Sequence, residues 1–150
     1  MPLPLNKKSK GDLAELKVAE DLIRRGYRIA FPYEEDWDFD LIVSRRGKLE
    51  RVKVKDARSD DSVLIVRCRS HSLTNGRVRV TKRYTAEMID WFAVYDAQTD
   101  RCYYIPAGEL ACGMNIMHLR LSAPRNGQRR RMRRASDYSQ VPGRGVRDRR

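Results

Sequence analysis

The sequence predicts an α/β (α+β) fold in which a mixed β-sheet is flanked by helices. Three observations point there. A single helical stripe opens the chain, short alternating or apolar runs of strand length follow it, and a brief helix interrupts those runs before more strands. At 150 residues the chain is one domain's worth, large enough to bury a substantial core.

The elements follow in order. Ser9-Lys10-Gly11-Asp12 has capping-box spacing, so a helix is expected from there to about Arg25, with Gly26 ending it. Ala14, Val18 and Leu22, flanked by Ala19 and Ile23, form its apolar stripe, and Glu15 sits at the stripe's edge. Residues 27–31 read as a first strand ended by Pro32, and an acidic loop over 34–38 leads to a second strand over 39–43. Arg45-Arg46-Gly47 turns the chain. Residues 49–55 then return with period two, Val52 and Val54 facing one side and Arg51, Lys53 and Lys55 the other. Residues 63–66 are apolar enough for a central strand. Residues 70–81 are polar and basic and read as a long hairpin or loop, and 85–90 as a short helix opened by Thr85. Strands over 91–95 and 102–105, a helical turn over 107–110 and a last strand over 117–121 complete the body. Trp37 and Trp91 are expected in the core.

Charge narrows the function. Lys and Arg number 32 against 20 Asp and Glu, a net of +12, which implies a polyanionic partner because basic side chains neutralise phosphates and release counterions. From Leu121 onward there are ten Arg against Asp137 and Asp148, a net of +8. The chain therefore divides into a core over 1–121 and an Arg-rich segment over 122–150, part of it mobile, in which Met132, Ala135 and Tyr138 offer a short apolar pattern able to dock. A solubilising tail is the plain alternative. Cys68, Cys102 and Cys112 are odd in number and widely spaced, which argues against a disulfide framework or a zinc cluster and suits a reducing compartment. The N-terminus lacks an apolar signal region, no long apolar stretch occurs, and no membrane partner is expected. The expected location is the cytoplasm.

One set of charges occupies costly positions. Asp40 lies within an otherwise apolar strand, and Lys53 and Lys55 alternate on the next one, so strand spacing of about 4.8 Å lets all three converge on one face. Glu15 can complete the cluster from the helix. Such carboxylates suit Mg²⁺, and a nearby lysine can orient water or balance charge at phosphorus. A surface hairpin with solvated charges is the rival reading.

Lys10-Gly11-x-x-Ala14-Glu15, Gly26-Tyr27, Phe39-Asp40-Leu41-Ile42-Val43 and Val52-x-Val54-Lys55 together resemble the PD-(D/E)XK nuclease core, a restriction-endonuclease-like fold. The branch resembled is that of homing endonucleases encoded in group I introns of cyanobacteria, and the likeness extends through Arg83-Tyr84-Thr85 and Ile89-Asp90-Trp91 to about Gln128. It implies Asp40 as the metal-binding aspartate, Lys55 as the catalytic lysine and Glu15 as the helix glutamate supporting metal and water, with the Val54 carbonyl as a further ligand to Mg²⁺ or another divalent cation. The position two before the lysine should be Glu, Asp or Gln but is Lys53, a cation that repels metal and weakens or abolishes activity. Asp38 and Asp36 are second choices, and a register pairing Asp38 with Arg51 and Lys53 stays open.

A DNA-contacting hairpin is expected as an insertion around 67–83, and within it 77–83 alternate basic and apolar residues, as one face of a strand set against a DNA groove would. Arg67, Arg69, Arg77, Arg79, Lys82 and Arg83 supply its charge, and His71, Ser72, Thr74, Asn75 and Thr81 its neutral donors. Arg129, Arg130 and Arg131 add phosphate contacts from the C-terminal segment. The expected function is double-strand cleavage of a long pseudo-palindromic DNA target by a homo-oligomer, a dimer or tetramer, since one active site cuts one strand. The rivals are a Holliday junction resolvase and a catalytically silent basic DNA-binding module.

Overall fold

The computed structural model describes residues 2–74, 77–111, 113–122 and 132–143; the side chains of 71–80 are outside that description. Helix α1 spans Lys7–Arg24, and the strands are β1 (Arg28–Ala30), β2 (Leu41–Arg45), β3 (Lys48–Ala57), β4 (Val63–Arg67), β5 (Arg69–Thr74), β6 (Arg77–Arg83), β7 (Trp91–Asp96), β8 (Arg101–Pro106), β9 (Ile116–Arg120) and β10 (Arg133–Arg134). The N-cap of α1 is Asn6, whose side-chain oxygen accepts the Ser9 N–H at 2.8 Å, so the helix begins earlier than the Ser9 box predicts. At the other end Gly26 takes φ +89°, the left-handed C′ position that glycine fills without strain.

The main sheet is mixed, ordered β1-β2-β3-β7-β8, with β3 and β7 parallel and the other pairs antiparallel. On one face α1 buries Ala14, Val18 and Leu22 against Leu41, Val43, Val52, Val54, Trp91, Ala93 and Tyr104. No second α-helix covers the opposite face among the described residues. A small sheet ordered β10-β9-β4 does so, placing Leu64, Val66, Met117 and Leu119 on Phe92, Val94 and Ile105. The apolar run at 63–66 is therefore an edge strand of this second sheet and leaves Ile65 exposed, where a central strand was expected. Residues 86–88 form only a turn, closed by the Met88 N–H on the Thr85 carbonyl at 3.0 Å, because the chain must straighten at once to enter fully buried β7.

β5 and β6 form a separate two-stranded ribbon. The C-terminal segment does dock. β10 pairs in parallel with β9, and Ala135 and Tyr138 on the following 3₁₀ turn join the core, with Val141 buried against the α1 side.

Candidate active site

Hairpin β2–β3 sets the site. Arg46 (φ +49°) and Gly47 (φ +75°) form its left-handed turn, fixing the register in which Leu41 pairs with Val52. One step further, the Asp40 N–H donates to the Val52 carbonyl at 2.8 Å, and the ladder puts Asp40 opposite Lys53. This is the register preferred from sequence. The rival one is not built, since Arg51 goes to Asp90 and Asp38 accepts from Lys82 Nζ at 2.7 Å. Asp36 stays on the exposed loop.

Asp40 has two kinds of partner. Its Oδ2 accepts the Val54 N–H at 2.8 Å, while Lys53 Nζ lies 3.2 Å from both carboxylate oxygens. Lys55 stands on the same face, in register with Val94 of β7, and its Nζ donates to the Arg69 carbonyl at 3.1 Å. Both ammonium groups lie over the ring of Tyr84, Lys53 at 5.5 Å and Lys55 at 4.9 Å from its centroid. That ring is braced edge-on by Phe92 at 5.5 Å, and its hydroxyl shares a 3.0 Å hydrogen bond with Ser70. Tyr84 carries no charge and has no periodic position, so sequence reasoning gave it no role; only its place between the ribbon and β7 reveals one.

The electrostatics follow from crowding. Burial, then the nearby Asp40 carboxylate, raises the Glu15 carboxyl to about 6, with Lys53 pulling the other way. Burial, then repulsion by Lys53, lowers the Lys55 ammonium to about 8. Burial also pulls Lys53 down, but the Asp40 charge and hydrogen bond, aided by Tyr84, outweigh it and leave its pKa above the ordinary lysine value. The hairpin thus presents a firmly charged lysine and a readily titrated one on one face, with the half-buried Glu15 acid on α1 near enough to sense their surroundings.

For a divalent cation the donor set is lean. Among the described residues no group of three or more His, Cys, Asp or Glu side chains gathers. The Asp40 charge raises the cost of ionising Glu15, which a cation would relieve, and two carboxylates with a carbonyl suit Mg²⁺, which keeps waters and phosphate oxygens for its remaining positions. The residues fit the ion, with the Lys53 ammonium competing for Asp40.

The predicted DNA-contact residues are spread along the ribbon and its entry. Arg67 and Thr81 are exposed, Arg69 is half-buried, and Lys82 ties the ribbon to Asp38. Arg83 Nε donates to Asn115 Oδ1 at 3.2 Å. The side chains of His71, Ser72, Thr74, Arg77 and Arg79, and residues Asn75, Arg129, Arg130 and Arg131 altogether, lie outside the described residues. Trp37 corrects an expectation: it is 53% exposed on the loop before Asp40, leaning on Phe39 at 5.3 Å, whereas Trp91 is in the core as expected.

A mixed sheet with one N-terminal helix, and an aspartate, a glutamate and a lysine brought together beside its central hairpin, is the framework of a restriction-type nuclease. The chain belongs to the PD-(D/E)XK endonuclease family, whose sequence pattern matches residues 5–141. Among solved structures it is similar to a bacterial homing endonuclease, I-Ssp6803I, with a TM-score of 0.70 at 21% identity over 89% of this chain and 88% of that one. At that identity the likeness is one of fold. No curated protein matches the sequence.

Proposed function

We propose that the protein is a site-specific, homing-type endonuclease that hydrolyses double-stranded DNA with a divalent cation. The observation that carries this is the convergence of Asp40, Lys53 and Lys55 beside β2 and β3, with Glu15 close enough to feel the charges of Asp40 and Lys53. Glu15 and Asp40 would hold Mg²⁺, with the Val54 carbonyl: a strand residue's N–H and C=O point to the same side, and the Val54 N–H already points at Asp40. Bound there, Mg²⁺ would supply Lewis-acid polarisation of the scissile phosphodiester. Lys55, softened to about 8, orients the attacking water and exchanges a proton near neutral pH, while the Glu15 carboxylate supports that water. Lys53 holds Asp40 in place and attracts phosphate, at the cost of metal affinity.

The β5–β6 ribbon stands beside Lys55 through the Arg69 carbonyl, which favours it as the DNA-reading element, with Arg67, Arg69, His71, Ser72, Thr74, Asn75, Arg77, Arg79, Thr81, Lys82 and Arg83 as its contacts. Arg129, Arg130 and Arg131 add phosphate contacts. A dimer or tetramer would place two such sites on a long pseudo-palindromic target. Among the described residues no helix is long and apolar enough to cross a membrane, and the charge suits residence at a bacterial nucleoid. The test is incubation with linear duplex, four-way junction and RNA, with and without Mg²⁺. Discrete duplex fragments that need Mg²⁺ support the reading. Preference for the junction indicates a resolvase, and binding without cutting, in both this protein and its Lys53→Gln variant, indicates a silent binder.

A further inference from the structure

A groove of about 910 Å³ runs between the C-terminal half of α1, the start of β8 and the docked segment at β10, and Glu15, Asp40, Lys53 and Lys55 are not among the residues that line it. About half of its lining residues are charged, and the charges sort in a telling way. Each lining acid already holds a lining cation: Asp100 pairs with Lys17 at 3.0 Å, Glu20 with Arg24 at 2.8 Å and Asp21 with Arg25 at 2.8 Å. Three further guanidinium groups line the groove, those of Arg101, Arg120 and Arg134, and among the described residues none makes an ion pair.

Two of the three are forced together. β9 and β10 run parallel with Arg120 opposite Arg134, so their side chains leave the same face of adjacent strands. Like charges placed directly opposite on a sheet are destabilising. Nothing in the core demands this pair, because Leu119 on β9 and Ala135 beyond β10 supply the buried contacts of these strands. An arrangement that sets like charges side by side, with a third arginine lining the same groove and every lining acid already paired, is suited to an anion that bridges guanidinium forks. Those forks match carboxylate and phosphate alike, and the net charge of +12 favours phosphate.

We propose that this groove is a second phosphate-binding site, taking the sugar–phosphate backbone of DNA away from the cut. It deepens the endonuclease reading by giving the DNA a second point of anchorage. In the main sheet β8 is the edge strand on the side away from β2, so a duplex or a second DNA segment held here is gripped independently of Asp40.

The experiment measures equilibrium binding of a fluorescent duplex in EDTA, so that cleavage plays no part, across a series of salt concentrations. Arg120→Gln/Arg134→Gln is compared with the unaltered protein and with Arg28→Gln/Arg58→Gln, which removes equal charge at exposed positions elsewhere. The expected result is a salt slope flatter by about 1.8 for the groove pair, from about 0.9 per phosphate contact, and a smaller change for the control. Equal slopes for the two double variants, or no change in either, overturn the proposal. A second arm records melting temperature in inorganic phosphate against chloride of matched ionic strength. A phosphate-specific rise in the unaltered protein that the groove pair lacks supports the site. That rise without any change in the DNA slope shows a site for free phosphate and overturns the DNA assignment. Both arms read binding alone, so a failure to cut DNA would count against the endonuclease reading without bearing on the groove.

Discussion

Two aspartates at strand ends, Asp40 before β2 and Asp96 closing β7, are held in opposite ways. Asp96 is fully buried, and its carboxylate accepts four neutral donors: the Ser59 N–H at 2.8 Å, the Ser59 hydroxyl at 2.6 Å, the Gln98 N–H at 3.0 Å and the Thr99 hydroxyl at 2.7 Å. Burial alone would raise its pKa, but these hydrogen bonds outweigh burial and hold it below the usual carboxylate range. Asp40 has one fixed donor, the Val54 N–H, and one long, displaceable lysine. A carboxylate whose lone pairs are all taken by rigid neighbours stabilises a fold. One left with capacity, beside charges that move, can exchange partners with a substrate or metal.

Breaking Asp96 should therefore have the largest effect on the fold. Asp96→Ala strands the two buried Ser59 donors, each costing about 1–3 kcal/mol, and frees the turn at 98–99, so denaturant unfolding should show a loss on the order of 3 kcal/mol or more. Asp40→Ala should lose far less stability and yet abolish Mg²⁺-dependent cutting. If the two variants lost stability equally, the distinction between them would fail.

How much of this was legible in sequence divides along the same line. The helix stripe, the β2–β3 hairpin and the placement of Asp40 opposite Lys53 are local, set by periodicity and by the Arg46-Gly47 turn, and they could be read. Asp96 could not, because its donors come from Ser59 across the sheet and from its own turn, and no spacing rule links them. Tyr84 was hidden for the same reason. The second sheet also escaped the reading: nothing local says that residues 63–66 pair with β9 rather than join the main sheet. The C-terminal segment was half legible. Its arginine content marks a polyanion partner and its short apolar pattern a docking face, which Ala135 and Tyr138 fill in the core; its parallel pairing with β9 had no local signal.

Acid should separate the active-site cluster from the Asp96 anchor in a subtler way. Glu15, raised to about 6 by burial and by Asp40, loses its negative charge as pH falls through that value, so Mg²⁺-dependent cutting should decline there by up to about tenfold per pH unit. Asp96 has a depressed folded-state pKa, so its stabilising contribution is intact above the unfolded carboxylate range and fades only as pH falls below it. Between about pH 6 and pH 4 the protein should thus stay folded by circular dichroism while cutting disappears. Loss of both signals together would contradict the separation.

The most direct test is single-turnover cleavage of duplex DNA, at saturating DNA and fixed Mg²⁺, by the unaltered protein, by Lys53→Gln and by Lys53→Gln with Asp40→Ala. Lys53 Nζ stands 3.2 Å from Asp40, and a unit charge about 4 Å from a cation site costs on the order of 4 kcal/mol at an effective dielectric near 20. Removing even part of that should raise cutting tenfold or more at limiting Mg²⁺, and the added Asp40→Ala change should abolish it. Equal rates for the unaltered protein and Lys53→Gln, or activity surviving the loss of Asp40, would contradict the account.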